Sequence, residues 1–131
     1  MLTKFKSEKV IANLNNKELF NKFTNLNNLK DYIPKEIKEF ESNSDNCSFK
    51  IESLPKISLQ LTEKKPYSFI KFESNESHIP FKMYCHLDEN NKNTTSVILE
   101  LDIEVNFITK MMIQKPINIF LEKFSEAIKN I

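Results

Sequence analysis

The stretch VILELDIEV at residues 97–105 runs directly into NFITKMMIQKPINIFLEKFSEAIKNI at residues 106–131, and between them the apolar spacing changes. In the first part Val97, Leu99, Leu101, Ile103 and Val105 alternate with Glu100, Asp102 and Glu104, as in a strand with one dry and one wet face. Beyond Phe107 a helical period takes over. Met112, Ile119, Phe120, Phe124, Ala127, Ile128 and Ile131 fall on one side, and Gln114, Asn118, Glu122, Glu126 and Lys129 on the other. Pro116 fits either the first turn of this helix or a kink in a helix that starts near Ile108. Roughly 15 to 24 residues at about 1.5 Å each make a rod of about 25 to 35 Å, long enough to cross a sheet.

Working back from this switch, period-two alternation recurs in Cys47, Phe49, Ile51; in Ile57, Leu59, Leu61; in Ile70, Phe72; and in Phe81, Met83, Cys85, Leu87. The links at 42–45, 54–55, 64–66, 75–80 and 89–94 have turn composition and are short, which favours an antiparallel meander. Residues 3–11 alternate weakly and read as an opening strand. Asn15 or Asn16 then serves as N-cap to a helix carrying Leu19, Phe20, Phe23 and Leu26. A second short helix or turn carries Leu29 and ends at Ile33-Pro34, because a residue before proline is pushed out of helical geometry. The expected architecture is α+β: one domain over 1–131, with six to seven antiparallel strands curved around the long C-terminal helix. Two short helices follow the first strand, which pairs with 97–105. A cone-shaped α+β fold with the long helix first is the alternative.

Composition removes several functions. Gly is absent, so no glycine-rich loop can bring backbone close to a phosphate in the Rossmann or Walker manner. Nineteen basic and eighteen acidic residues leave a net charge of +1, so no global field draws the chain to nucleic acid or to an anionic membrane. No run approaches the roughly 20 apolar residues of a membrane span, so no membrane insertion is expected. The amino terminus lacks the continuous apolar stretch of a signal peptide, and Cys47 and Cys85 are isolated, so a cytoplasmic protein with reduced thiols is the simplest reading.

The order of elements resembles the helix-grip (SRPBCC) superfamily of START lipid-transfer domains, polyketide cyclases and plant pathogenesis-related allergens, and the chain looks like a small bacterial member. The residues that carry the resemblance are Asn25-Leu26-Asn27-Asn28-Leu29, Asp45-Asn46-Cys47-Ser48-Phe49, Ile70-Lys71-Phe72-Glu73-Ser74, Ile79-Pro80-Phe81, Asn106-Phe107-Ile108 and Lys115-Pro116. They are structural punctuation rather than a catalytic motif, so the resemblance bears on fold more than on activity. It implies a hydrophobic ligand held between sheet and helix. The chain departs from larger relatives in its short length and its lack of Gly, which argues against a roomy cavity.

Candidates for chemistry weigh towards structural roles. His86 shares a strand face with Lys82, Tyr84 and Asp88, the wet face if Met83 and Cys85 point inward, and His78 precedes Ile79-Pro80 in a turn. The Cys residues have the opposite parity to His86 and no nucleophile elbow is present. The row Glu100, Asp102, Glu104 is compensated by Lys82 and His86 if strands 81–88 and 97–105 form a hairpin. Neither a metal, a cofactor nor a catalytic residue is therefore expected. Phe5, Phe49, Phe72, Phe81, Met83, Cys85, Met111, Met112, Phe120 and Phe124 face the space under the helix, and Phe72, Met83, Cys85, Met112 and Phe120 are the candidate ligand contacts. Eleven Phe in so small a grip can equally fill that space. Two readings stay open: an intracellular binder of a small hydrophobic or amphipathic ligand with a pocket of roughly 300 Å³ or more, and a protein-interaction module with a filled core. A cyclase-like enzyme, signalled by an inward Tyr84 or His86, is a third. No oligomeric state is specified by the pattern.

Overall fold

The computed structural model describes residues 2–51, 54–75 and 80–131. The chain opens with β1 (Leu2–Lys6) and β2 (Val10–Ala12), continues through α1 (Asn16–Phe23) and a 3₁₀ helix (Leu26–Tyr32), and enters a run of six strands. These are β3 (Ile37–Ser42), β4 (Asn46–Ile51), β5 (Ile57–Lys65), β6 (Phe69–Ser74), β7 (Phe81–Asn91) and β8 (Thr94–Glu104). The last element is α2 (Phe107–Lys129). Among the described residues eight strands form one sheet in the order β1-β8-β7-β6-β5-β4-β3, every pairing antiparallel, with β2 also on β8. His78 and Ile79 lie outside the described residues.

The opening strand pairs with β8 as the sequence predicts, but it is broken in two. Thr3 lies opposite Ile103, and Val10 opposite Val97. At the break Ser7 donates its N–H to the carbonyl of Leu99 at 2.8 Å and accepts the Leu99 N–H on Oγ at 2.9 Å. The hydroxyl thus stands in for a backbone carbonyl and lets β1 and β2 both dock on one strand. Further on, Thr95, fully buried, donates its hydroxyl to the Leu14 carbonyl at 2.8 Å and ties the entrance of α1 to β8.

Helix ends and turns are made by asparagine. Asn15 caps α1, accepting from the Glu18 N–H at 2.9 Å, and Asn106 caps α2, accepting from the Thr109 N–H at 2.8 Å. In the hairpin turns Asn43 accepts from the N–H groups of Asp45 and Asn46, and Asn91 from that of Asn93. These are Asx turns, which do without the glycine this chain lacks. The residue recorded with φ in the left-handed region is Glu39, at 52°.

Two elements differ from expectation. β3 is absent from the periodicity because a register shift between Lys38 and Glu41, with Glu39 at its centre, breaks the alternation that would reveal a strand. α2 starts at Phe107, so of the two placements open to Pro116 the one inside a helix that begins near Ile108 is met. The helix is, however, rotated from its predicted phase. Ile113, Pro116, Ile117, Phe120, Leu121, Phe124, Ser125 and Ile128 are its buried residues, while Met111 and Met112, expected to face inward, are 65% and 67% exposed. The physical reason is the competition of two apolar arcs at the start of α2: only the one continued by Phe120, Phe124 and Ile128 meets the sheet.

The parity of the central strands is as read. Met83, Cys85 and Leu87 of β7 and Val97, Leu99, Leu101 and Ile103 of β8 are buried under the helices, with Lys82, Tyr84, His86, Glu100 and Asp102 on the outer face. Ser7→Ala leaves the buried N–H of Leu99 unpaired and is expected to cost about 1–3 kcal/mol in urea unfolding. A cost below a few tenths of a kcal/mol would show that the hydroxyl is not what joins β1 to β2.

Candidate functional site

Between the concave face of the sheet and α2 lies a slot. Its floor is built from Phe49 and Leu59 of β4 and β5, Met83 of β7 and Leu101 and Ile103 of β8, and its roof is Ile113, Ile117 and Phe120 of α2. Alternation along each strand puts these side chains on one face, and the 4-3 spacing of Ile113, Ile117 and Phe120 aligns them along one stripe of the helix. Phe49 and Phe120 stack at 5.8 Å with rings 10° apart; Phe40 stacks on Phe49 at 6.4 Å, and Phe124 meets Phe120 at a tilt of 42°. Pro55 and Lys56 are the exposed members of the lining, so the slot meets solvent beside them. Every other lining side chain is apolar.

The free space is small. The slot holds about 30 Å³, and a second void between Phe23, Leu29, Phe72, Cys85, Leu99 and Phe124 holds about 20 Å³. A water molecule takes about 30 Å³ of liquid. The expectation of a filled interior is therefore closer to this conformation than that of an open pocket of roughly 300 Å³. Of the five candidate contacts, Met83 lines both spaces, Phe120 roofs the slot, and Phe72 and Cys85 line the second void. Met112 belongs to neither and points away, for the reason of helix phase given above. The sequence reading missed Ile113, Ile117 and Lys56. The 4-3-4-4 spacing of Ile113, Ile117, Phe120, Phe124 and Ile128 was the signal for the first two; Lys56 carried none.

The outer face of the sheet carries the titratable side chains. His86 Nε2 lies 3.6 Å from Glu100 Oε1, and the His86 ring packs at 5.6 Å from that of Phe69 and 6.5 Å from that of Tyr84. Burial, with the Asp102 carboxylate beside it, raises the Tyr84 phenol above its ordinary range. Asp102 is paired by Lys4 at 3.2 Å rather than by Lys82, whose ammonium is 3.7 Å from Glu73. The acidic row is thus compensated, with Lys4 in place of Lys82. Among the described residues no group of three or more His, Cys, Asp or Glu is arranged to hold a metal ion. The sign that would mark a cyclase-like site, Tyr84 or His86 turned inward, is not met.

Solved structures settle the fold. A START superfamily protein from Mycobacterium smegmatis superposes over 98% of this chain and 94% of its own, with TM-score 0.74 and 11% identity. The START-like helix-grip fold is shown. Norcoclaurine synthase from Thalictrum flavum shares it at TM-score 0.75 and 10% identity over 99% of this chain and 86% of its own. So does a conserved protein from Geobacillus kaustophilus, at TM-score 0.71 and 15% identity over 99% and 93% of the two chains. At such identities the START-like likeness concerns the fold. No family model and no curated protein matches the sequence. No described helix is long and apolar enough to cross a membrane.

Burial pushes the Cys47 and Cys85 thiols up to about 12. The unfolded chain gives up these protons near pH 9 while the folded chain keeps them, so the stability they contribute is present below about pH 9 and lost as pH rises towards 12. The urea midpoint should therefore fall between pH 9 and 10.5 more steeply in the native protein than in a Cys47→Ala/Cys85→Ala variant. Equal slopes would show that the thiols ionise alike in both states.

Proposed function

We propose that this chain binds a small apolar or amphipathic molecule, with its apolar part between the sheet and α2 and its polar end at Lys56. The observation that carries the reading is the lining itself: an apolar slot whose single charged side chain stands at the solvent boundary. A ligand pocket of this composition fixes its guest by area inside and by one polar contact outside. Solved structures of this fold include norcoclaurine synthase in complex with dopamine and hydroxybenzaldehyde, which supports ligand binding by the fold in that protein. A cytoplasmic setting, in which both buried thiols stay reduced, belongs to the same reading.

Occupancy requires the slot to widen, since about 30 Å³ holds no organic ligand. Two features make widening cheap. Pro116 lacks the N–H that would bond the Met112 carbonyl, so α2 has a bending point between Ile113 and Ile117, which both roof the slot. Met83, between the slot and the second void, has an unbranched thioether that changes rotamer readily. Joined through Met83, the two spaces bring Phe72 and Cys85 into the ligand's reach along with Phe120. The second reading, a protein-interaction module with a filled core, is favoured by the small free volume alone.

Saturated fatty acids of eight to fourteen carbons, with the matching alcohols, separate the two in a thermal-melt assay. At a hundredfold excess over Kd a ligand adds about 2.7 kcal/mol, which raises Tm by several degrees in a chain of this size. Native protein should show that rise. Ile113→Trp, which fills the slot, should abolish it for both series, and Lys56→Gln should reduce it for acids while sparing alcohols. An unmoved Tm throughout both series would leave the interaction module standing.

A further inference from the structure

The first two turns of α2 carry Phe107, Ile108, Met111 and Met112, which at 65–71% are the most exposed large apolar side chains among the described residues. At 100° per residue they cover one arc of the helix, opposite Ile113, Ile117 and Phe120. The same arc holds the exposed Lys115 at its centre. Between residues 105 and 121 the charged side chains are Lys110 and Lys115, with no acid, whereas the outward face farther along carries Glu122 and Glu126. That order runs against the helix dipole, which favours acids near the N-terminus, and the first turn of α2 has none. Glu104, the nearest acid before the helix, is already engaged.

An apolar arc with Lys115 at its centre, flanked by Lys110 and cleared of acids, has a complementary surface: one that is apolar inside and anionic outside. We propose that the N-terminal half of α2 docks peripherally on a lipid bilayer bearing anionic head groups, with Phe107, Ile108, Met111 and Met112 in the interfacial layer and Lys110 and Lys115 among the head groups. The charge pattern argues against a second copy of this chain as the occupant. A two-fold contact centred on this arc would set Lys115 against its own symmetry mate. The net charge of +1 gives no warning of this surface, because the acids that balance these lysines lie elsewhere on the molecule. The inference does not depend on ligand binding, although Ile113, next to Met112 in the chain, roofs the slot.

Co-sedimentation with extruded vesicles tests it. The native protein should pellet with vesicles of phosphatidylcholine and phosphatidylglycerol at 7:3 and at least tenfold less with phosphatidylcholine alone. Ile108→Ser/Met111→Ser and, separately, Lys115→Glu should each lower the bound fraction at least tenfold at unchanged Tm, since these side chains are exposed and hold no core together. Native protein that stays in the supernatant with anionic vesicles, or variants that pellet like it, overturns the proposal. So does a dimer by light scattering at the assay concentration that Ile108→Ser/Met111→Ser dissociates, because the arc would then be a contact between copies.

Discussion

Phe120 of α2 stacks on Phe49 of β4, and this contact sets how deeply the long helix sits in the curved sheet. The helix is anchored unevenly. From Ile113 to Ile128 a residue of nearly every turn is buried, whereas between Phe107 and Met112 none is. Apolar burial contributes about 25 cal/mol per Å², so the C-terminal part of α2 carries most of the packing energy and the N-terminal part little. Pro116 lies in the first turn of the anchored part and weakens the ladder there. The slot is the space left beneath the first turns of the anchored part, under Ile113, Ile117 and Phe120, and its volume follows from the depth fixed at Phe120.

The sheet that receives the helix is held at its ends by side chains doing backbone work. Ser7 completes the ladder where β1 gives way to β2, Thr95 binds the chain entering α1, and asparagines close the turns. Each device substitutes for a glycine or a main-chain group. The consequence reaches the interior: with β1, β2 and β7 all registered on β8, the inward parity of Leu99, Leu101 and Ile103 is fixed, and the slot has a continuous floor.

Most of this was legible in the residues. The change of period at Phe107 announced a sheet followed by a long helix, and the alternation of β7 and β8 placed Met83 and Cys85 inside and His86 outside. Solved START-like structures agree with the whole arrangement. What escaped has physical causes. β3 hides because Glu39, with positive φ, breaks its alternation. The phase of α2 was missed because hydrophobicity marks an arc without saying what covers it, and the outward arc from Phe107 to Met112 is as apolar as the inward one. Met112 was drawn into the predicted site on that account. The slot's volume was beyond reach, since pattern specifies which side chains face a space and not how far they fill it.

The central claim is that the space under α2 opens to an apolar guest. The most direct measurement is a methyl NMR titration with decanoate of protein carrying labelled Met and Ile methyl groups. The account predicts that the methyl resonances of Met83, Ile113 and Ile117 shift together and show contacts to the acyl chain, while that of Ile98 on the outer face stays still. A titration in which only Met111 and Met112 respond, or in which no methyl group does, would contradict it.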